Sequence, residues 1–166
     1  MEGQKVSSLA EATSDFLAHK RIAVAGVSRQ PEGHGANSVY KRLRDRGYTV
    51  FAVNPKADKV EGDACYHDLR SIPGGVDAVV IATPASAAES VARECKELGI
   101  TNVWMHRSWG EGSVSDAAVA YCQENGINAI PGGCPLMFSP TSDFAHVCMR
   151  WLLGATGGLP KVAQLG

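Results

Sequence analysis

The chain predicts a single α/β domain built on a five-stranded parallel sheet, strand order 3-2-1-4-5, with helices on both faces. Three observations carry this. First, one junction occurs three times: Arg46-Gly47-Tyr48 leads into Thr49-Val50-Phe51-Ala52-Val53, Leu98-Gly99-Ile100 into Asn102-Val103-Trp104-Met105, and Asn125-Gly126-Ile127 into Asn128-Ala129-Ile130. In each, a polar helical stretch meets a glycine, which takes the positive φ of a helix C-terminus at little cost. Helices that feed strands in this way imply βαβ crossovers and hence a parallel sheet. Second, apolar residues recur at helical spacing: Ala36, Val39, Tyr40 and Leu43, then Ala88, Val91, Ala92, Cys95 and Leu98. Third, runs such as Val79-Val80-Ile81 do not alternate with polar residues, as expected of strands covered on both faces.

The elements follow in order. Ser8-Leu9-Ala10-Glu11 predicts the capped start of an N-terminal helix reaching Ala18, within a segment 1–20. Strands are expected at 21–27, 48–53, 76–82, 102–105 and 127–130, all within a core domain of 21–140. Ser113-Val114-Ser115-Asp116 predicts a capping box before the helix of Ala117, Ala118, Tyr121 and Cys122. A C-terminal helix spans 141–153, with Phe144, Val147, Cys148, Trp151 and Leu152 forming an apolar stripe. That stripe either packs on the sheet edge or makes a homodimer contact. Residues 154–166 are expected to be a mobile tail.

At 166 residues the chain makes one domain, able to bury roughly 70% of its unfolded surface. The net charge of −1 supplies no basic field for nucleic acid or anionic membrane. No apolar run reaches the roughly 20 residues that a membrane-spanning helix needs. The N-terminus lacks the apolar centre of a secretory signal, so the expected location is cytoplasmic. Cysteines 65, 95, 122, 134 and 148 stand apart from one another. They offer no zinc spacing, and an odd number argues against a secreted disulfide framework. Four of the five are read as small core or helix-face residues. No metal site is expected.

In an open parallel sheet, ligands bind outside the carboxyl ends of the strands, where strand order reverses. The first such loop runs from Gly26 through Ser28, Arg29 and Gln30 to Gly33 and Gly35. It leads into a helix N-terminus, where backbone N–H groups and the helix dipole favour a phosphate. The loop is not Gly-x-Gly-x-x-Gly, because Ser28 holds the second glycine position, and a purely structural turn is the competing reading. Strand two ends in Asn54-Pro55-Lys56. A NAD site commonly places an acidic residue there to accept from the ribose hydroxyls. A cation there favours an adenosine with an extra ribose phosphate, as in coenzyme A or NADP, unless Lys56 is simply solvated. Thr83-Pro84 closes strand three, either as a ligand wall or as a plain helix start. His106 and Arg107 open a polar loop reaching Glu111, and Cys134 follows Gly132-Gly133 after strand five.

The ordered motifs Gly26-x-Ser28-x-x-Pro31, Asn54-Pro55-Lys56, Thr83-Pro84-Ala85 and Gly132-Gly133-Cys134-Pro135 resemble the stand-alone CoA-binding protein family. That family is similar in its Rossmann-like fold to the CoA-binding domains of the succinyl-CoA synthetase α subunit and of NDP-forming acyl-CoA synthetases. The resemblance covers about residues 21–140. It implies that Ser28, Arg29 and Gln30 lie along the CoA phosphates and that Asn54, Pro55 and Lys56 hold the 3′-phosphate end. It also implies that Thr83 and Pro84 pack against the ligand and that the 106–111 loop lines the cleft. Many small relatives carry Asp-Arg-Cys where this chain has Gly132-Gly133-Cys134, so their arginine is missing here.

The synthetases use a phosphohistidine on a separate later domain, so the resemblance implies a module that binds coenzyme A or an acyl-CoA without catalysing a reaction. No catalytic residue is assigned, and the expected partner is a small nucleotide ligand. Two alternatives stand beside this reading. One is an NADP-binding oxidoreductase-like domain using the same loop and Lys56. The other is a thiol-based sensor or regulatory subunit using Cys134, expected to be the most accessible cysteine.

Overall fold

The computed structural model describes residues 6–30, 32, 34–107, 112–160 and 163–164. Helix α1 (Leu9–Ala18) begins with the expected capping box: Ser8 accepts from the Glu11 N–H, and the Glu11 carboxylate accepts from the Ser8 N–H. Five parallel strands follow the sequence expectation: β2 (Arg21–Ala25), β3 (Thr49–Val53), β6 (Ala78–Ile81), β7 (Asn102–Met105) and β8 (Asn128–Pro131). Between β3 and β6 lie β4 (Lys59–Val60) and β5 (Asp63–Tyr66). Two short strands, β1 (Val6–Ser7) and β9 (Ala163–Gln164), pair antiparallel beyond β8.

The sheet therefore has nine strands rather than five, in the order β1-β9-β8-β7-β6-β2-β3-β5-β4. The expected order 3-2-1-4-5 is also corrected, because β6 lies beside β2 and not beyond β3. The place beside β3 belongs to β5, which pairs parallel with it through Ala52↔Cys65 and Val53↔Tyr66. Counting β5 as the third parallel strand gives 3-2-1-4-5-6, the doubly wound order. A hairpin arm, rather than a helix, makes the connection from β3 to β5.

The strands are buried on both faces, which is why they read as unbroken apolar runs. On β2, Ile22 and Val24 join one core while Ala23 and Ala25 join the other. The first core lies under α1, α2 (Gly35–Asp45) and a turn of 3-10 helix at Pro135–Met137. Its centre is Trp104, edge-on to Phe16 at 5.3 Å between ring centroids and tilted against Phe138 at 5.6 Å. The second core lies under α3 (Ala85–Glu97) and α4 (Asp116–Glu124) and buries Cys95 and Cys122. Helix α4 is capped by Ser115, not by the expected Ser113.

Helix α5 (Phe144–Thr156) runs past the expected boundary at 153, and Leu159 beyond it packs on the first core, where a mobile tail is expected. Its inward residues are Met149 and Leu153. The apolar stripe faces outward, with Phe144 85%, Trp151 78% and Leu152 52% exposed, so packing on the sheet edge is not its role. Periodicity identifies a stripe but not the direction in which it points. Among the described residues, no helix is long and apolar enough to cross a membrane.

Candidate functional site

The chain leaves β2 toward β3 on one side and β6 toward β7 on the other, so strand order reverses between β2 and β6. A cleft of about 690 Å³ opens at their carboxyl ends. At its floor the backbones nearly touch. Gly26 stands at φ 100, and a Cβ there would lie 2.5 Å from the Ala82 carbonyl oxygen. The Gly26 N–H donates to the Val53 carbonyl at 2.9 Å, tying β2's exit to β3.

Helices α2 and α3 point their N-termini into this cleft, through His34, Gly35 and Ala36 on one side and Pro84 and Ala87 on the other. Neither cap residue, His34 or Pro84, makes a side-chain cap hydrogen bond. The other α-helices are capped by Ser8, Ser115 and Asp143. The two helices that open into the cleft thus keep their first-turn N–H groups from a capping side chain, the arrangement that receives an anion.

Between β2 and α2 the loop is held by side chains. Asn37, 1% exposed, accepts from the Ser28 N–H at 2.9 Å and donates to the Ser28 carbonyl at 2.8 Å. The Ser28 hydroxyl accepts from the Gln30 N–H at 3.0 Å. Asn54 donates to the Val27 carbonyl and accepts from the Lys56 N–H, linking the second loop to the first. Of the sequence-predicted residues, Gly26, Ser28, Asn54, Pro55 and Lys56 line the cleft, as do Thr83, Pro84 and His106. Arg29 and Gln30 line an adjoining pocket of about 540 Å³ that shares Ser28, Asn54 and Lys56 with the cleft. Two cations, Arg29 and Lys56, therefore border one recess.

His106 half-buries its ring beside Gly35, where a Cβ would meet its Cε1 at 2.9 Å. Burial, aided by the nearby His146, pushes the imidazole down to about 4, so it is neutral at physiological pH. Buried Ser113 donates its hydroxyl to the Thr83 carbonyl and closes the same wall.

Two predicted residues stand apart from the cleft. Arg107 is exposed, and its N–H donates to the Gly133 carbonyl at 2.9 Å. Cys134 is 2% exposed and belongs to the first core, so it is not the most accessible cysteine; Cys148 is the exposed one. The glycine pair before Cys134 turns the chain inward, where Leu159 and Pro160 lie against it, rather than making room for a ligand. Residues 108–111 of the expected cleft loop, with Pro31 and Gly33, lie outside the described residues.

Several cleft residues gave no sequence signal. His67, Asp68 and Leu69 enter from the end of β5, a strand too short and polar to be recognised. Asn37 falls off the apolar stripe of α2 and belongs to no motif. His34, Glu94 and Ser113 also line the cleft.

A family model described as a CoA binding domain matches residues 20–140. An ADP-forming acetate–CoA ligase I of Archaeoglobus fulgidus is 41% identical over 76 residues, covering 46% of this chain and 11% of the ligase. The uncharacterized protein YneT of Bacillus subtilis is 30% identical over 127 residues, 76% of this chain and 90% of YneT. A hypothetical protein from Pyrococcus horikoshii has a similar structure, with a TM-score of 0.69 at 27% identity, covering 76% of this chain and 87% of that one. The chain spans only 11% to 19% of the length of the acetate–CoA ligases it matches. With a family match over most of its length and a nucleotide-sized cleft at the switch point of its sheet, the chain belongs to the CoA binding domain family.

Proposed function

We propose that this chain binds coenzyme A or an acyl-CoA in the switch-point cleft, as a cytoplasmic module that does not itself catalyse a reaction. The observation that carries this is the convergence of two helix N-termini without side-chain caps beside a recess bordered by Arg29 and Lys56. The helix ends would take the pyrophosphate, and the cations the ribose phosphate. Close approach at Gly26 lets the ligand reach the sheet edge. The acyl-CoA-forming reaction of the ligases belongs to proteins several times longer, of which this chain matches one part.

Thermal denaturation with CoA, dephospho-CoA, NAD and NADP tests the reading. A ligand that binds only the native state adds about 2.7 kcal/mol at 100 times its Kd. For a chain of this size each kcal/mol raises Tm by about 2–4 °C. CoA should therefore give the largest rise, dephospho-CoA a smaller one, and Lys56→Ala should shrink the difference between them. Equal rises with CoA and dephospho-CoA in the parent protein would remove the ribose-phosphate argument. A rise with NADP alone would favour the oxidoreductase-like alternative. The thiol-sensor alternative has lost its group, since Cys134 is buried.

The outward stripe of α5 is proposed to make a homodimer contact. Light scattering should then give twice the chain mass, falling to a single chain in Trp151→Lys. A monomeric parent protein would dispose of this proposal.

A further inference from the structure

The turn joining β4 to β5 is built against the preference of its backbone. Glu61 stands at φ 50 and Gly62 at φ 82, so both central residues of the two-residue loop have positive φ. Asparagine or glycine is the favoured residue at the first of these positions, and a glutamate is uncommon there. A strained residue of this kind points to a task for its side chain. The Glu61 carboxylate is not turned to water: its side chain is 13% exposed, and the Lys41 ammonium lies 3.7 Å from one oxygen. The other oxygen accepts from Asn37 Nδ2 at 2.8 Å.

Asn37 passes this contact on. The two hydrogens of Nδ2 divide between Glu61 and the Ser28 carbonyl, while Oδ1 accepts from the Ser28 N–H. The orientation of the amide is settled by these partners, because a flip would set its oxygen against both the carboxylate and the carbonyl. One residue of the loop, Ser28, is thereby gripped at both its N–H and its C=O from inside the protein. Arg44 steadies the far end by donating to the Glu61 carbonyl at 3.2 Å.

We infer that Asn37 and Glu61 are positioning residues: a brace running from the strained turn through Asn37 to Ser28 sets the path of the β2–α2 loop before any ligand arrives. The inference rests on the CoA-binding reading of the cleft. A turn selected for stability alone would carry asparagine at position 61. The glutamate has the length to reach Asn37, and its charge makes the hydrogen bond a strong one. A loop fixed in advance does not have to be ordered at the moment of binding, and affinity gains by that amount.

The substitution Glu61→Asn separates positioning from stability, because it relieves the turn while removing the reach to Asn37. We expect Glu61→Asn to melt at the parent temperature or above it, yet to bind CoA on the order of ten-fold more weakly by calorimetric titration. Asn37→Ala should weaken CoA binding at least as much, with some loss of stability from the groups it leaves unpaired. Parent-like CoA affinity in Glu61→Asn would overturn the inference. So would affinity and melting temperature falling together in that variant, since a purely structural contact behaves that way. A parent protein that fails to bind CoA is a different result: it strikes at the cleft reading itself, and it is visible before any substitution is made.

Discussion

Gly26→Ala is expected to lose on the order of 4 kcal/mol of stability or more, and with it all binding in the cleft. Two effects combine. At φ 100 an alanine backbone is strained by about 1–3 kcal/mol. Its Cβ would also stand 2.5 Å from the Ala82 oxygen, 2.6 Å from the Ala82 carbon and 2.8 Å from the Thr83 nitrogen. All three are backbone atoms at the end of β6, and β2 and β6 are paired up to Ala25↔Ile81. Relief therefore requires the two central strands to separate at their carboxyl ends, where the cleft has its floor. The total stability of a domain is only about 5–15 kcal/mol, so the variant should be largely unfolded at physiological temperature. Gly47→Ala is the control, since φ 84 imposes strain there but no atom lies within 4 Å. Urea denaturation of both variants decides the matter. Equal losses would mean that strain alone acts and that β2 and β6 have room to part.

Trp104→Ala should cost about 3–5 kcal/mol, the range for removing a large aromatic side chain from a close-packed core. Trp104 has no exposed surface, and it stands between Phe16 of α1 and Phe138. Its indole N–H donates to the Gly132 carbonyl at 2.9 Å, which fixes the turn leading to Cys134. Trp104→Phe keeps most of the packing but leaves that carbonyl without its indole donor. It should cost about 1–3 kcal/mol. The size of the alanine loss also tests whether α1 belongs to the cooperative unit, because Phe16 is its largest buried contact. If denaturant midpoints showed Trp104→Ala no worse than Trp104→Phe, the ring itself would be contributing little.

Much of the scaffold was legible because it rests on local rules. The Ser8–Glu11 capping box starts α1 where the spacing predicts. Gly47, Gly99 and Gly126 all stand at positive φ after a helix, which is why the three junctions mark three βα boundaries correctly. The residues at strand ends could be named because a parallel sheet gathers those ends. What stayed hidden depends on partners distant in sequence. β5 is a strand because β3 offers it an edge, since its own four residues bury only Cys65. Missing it displaced the third strand and concealed His67, Asp68 and Leu69. The stripe on α5 was visible, but its outward direction is decided by Met149 and Leu153 meeting the first core. Cys134 was misjudged because flanking glycines signal a bend without saying toward which side. Asn37 carries no motif, and its importance lies entirely in what it touches.

The neutral ring of His106 ties the fold to the proton concentration around it. In the unfolded chain this imidazole takes up a proton near pH 6.5, whereas in the folded protein it does so only near pH 4. Between those values the unfolded chain holds more protons at this position than the native one, so acid draws the equilibrium toward unfolding. The loss begins as pH falls through about 6.5 and is complete near 4, below which both states are protonated and this histidine has no further effect. His106 stands in the wall of the cleft beside the first turn of α2. The pH range that penalises its burial is therefore also the range in which the ligand site is held together least firmly.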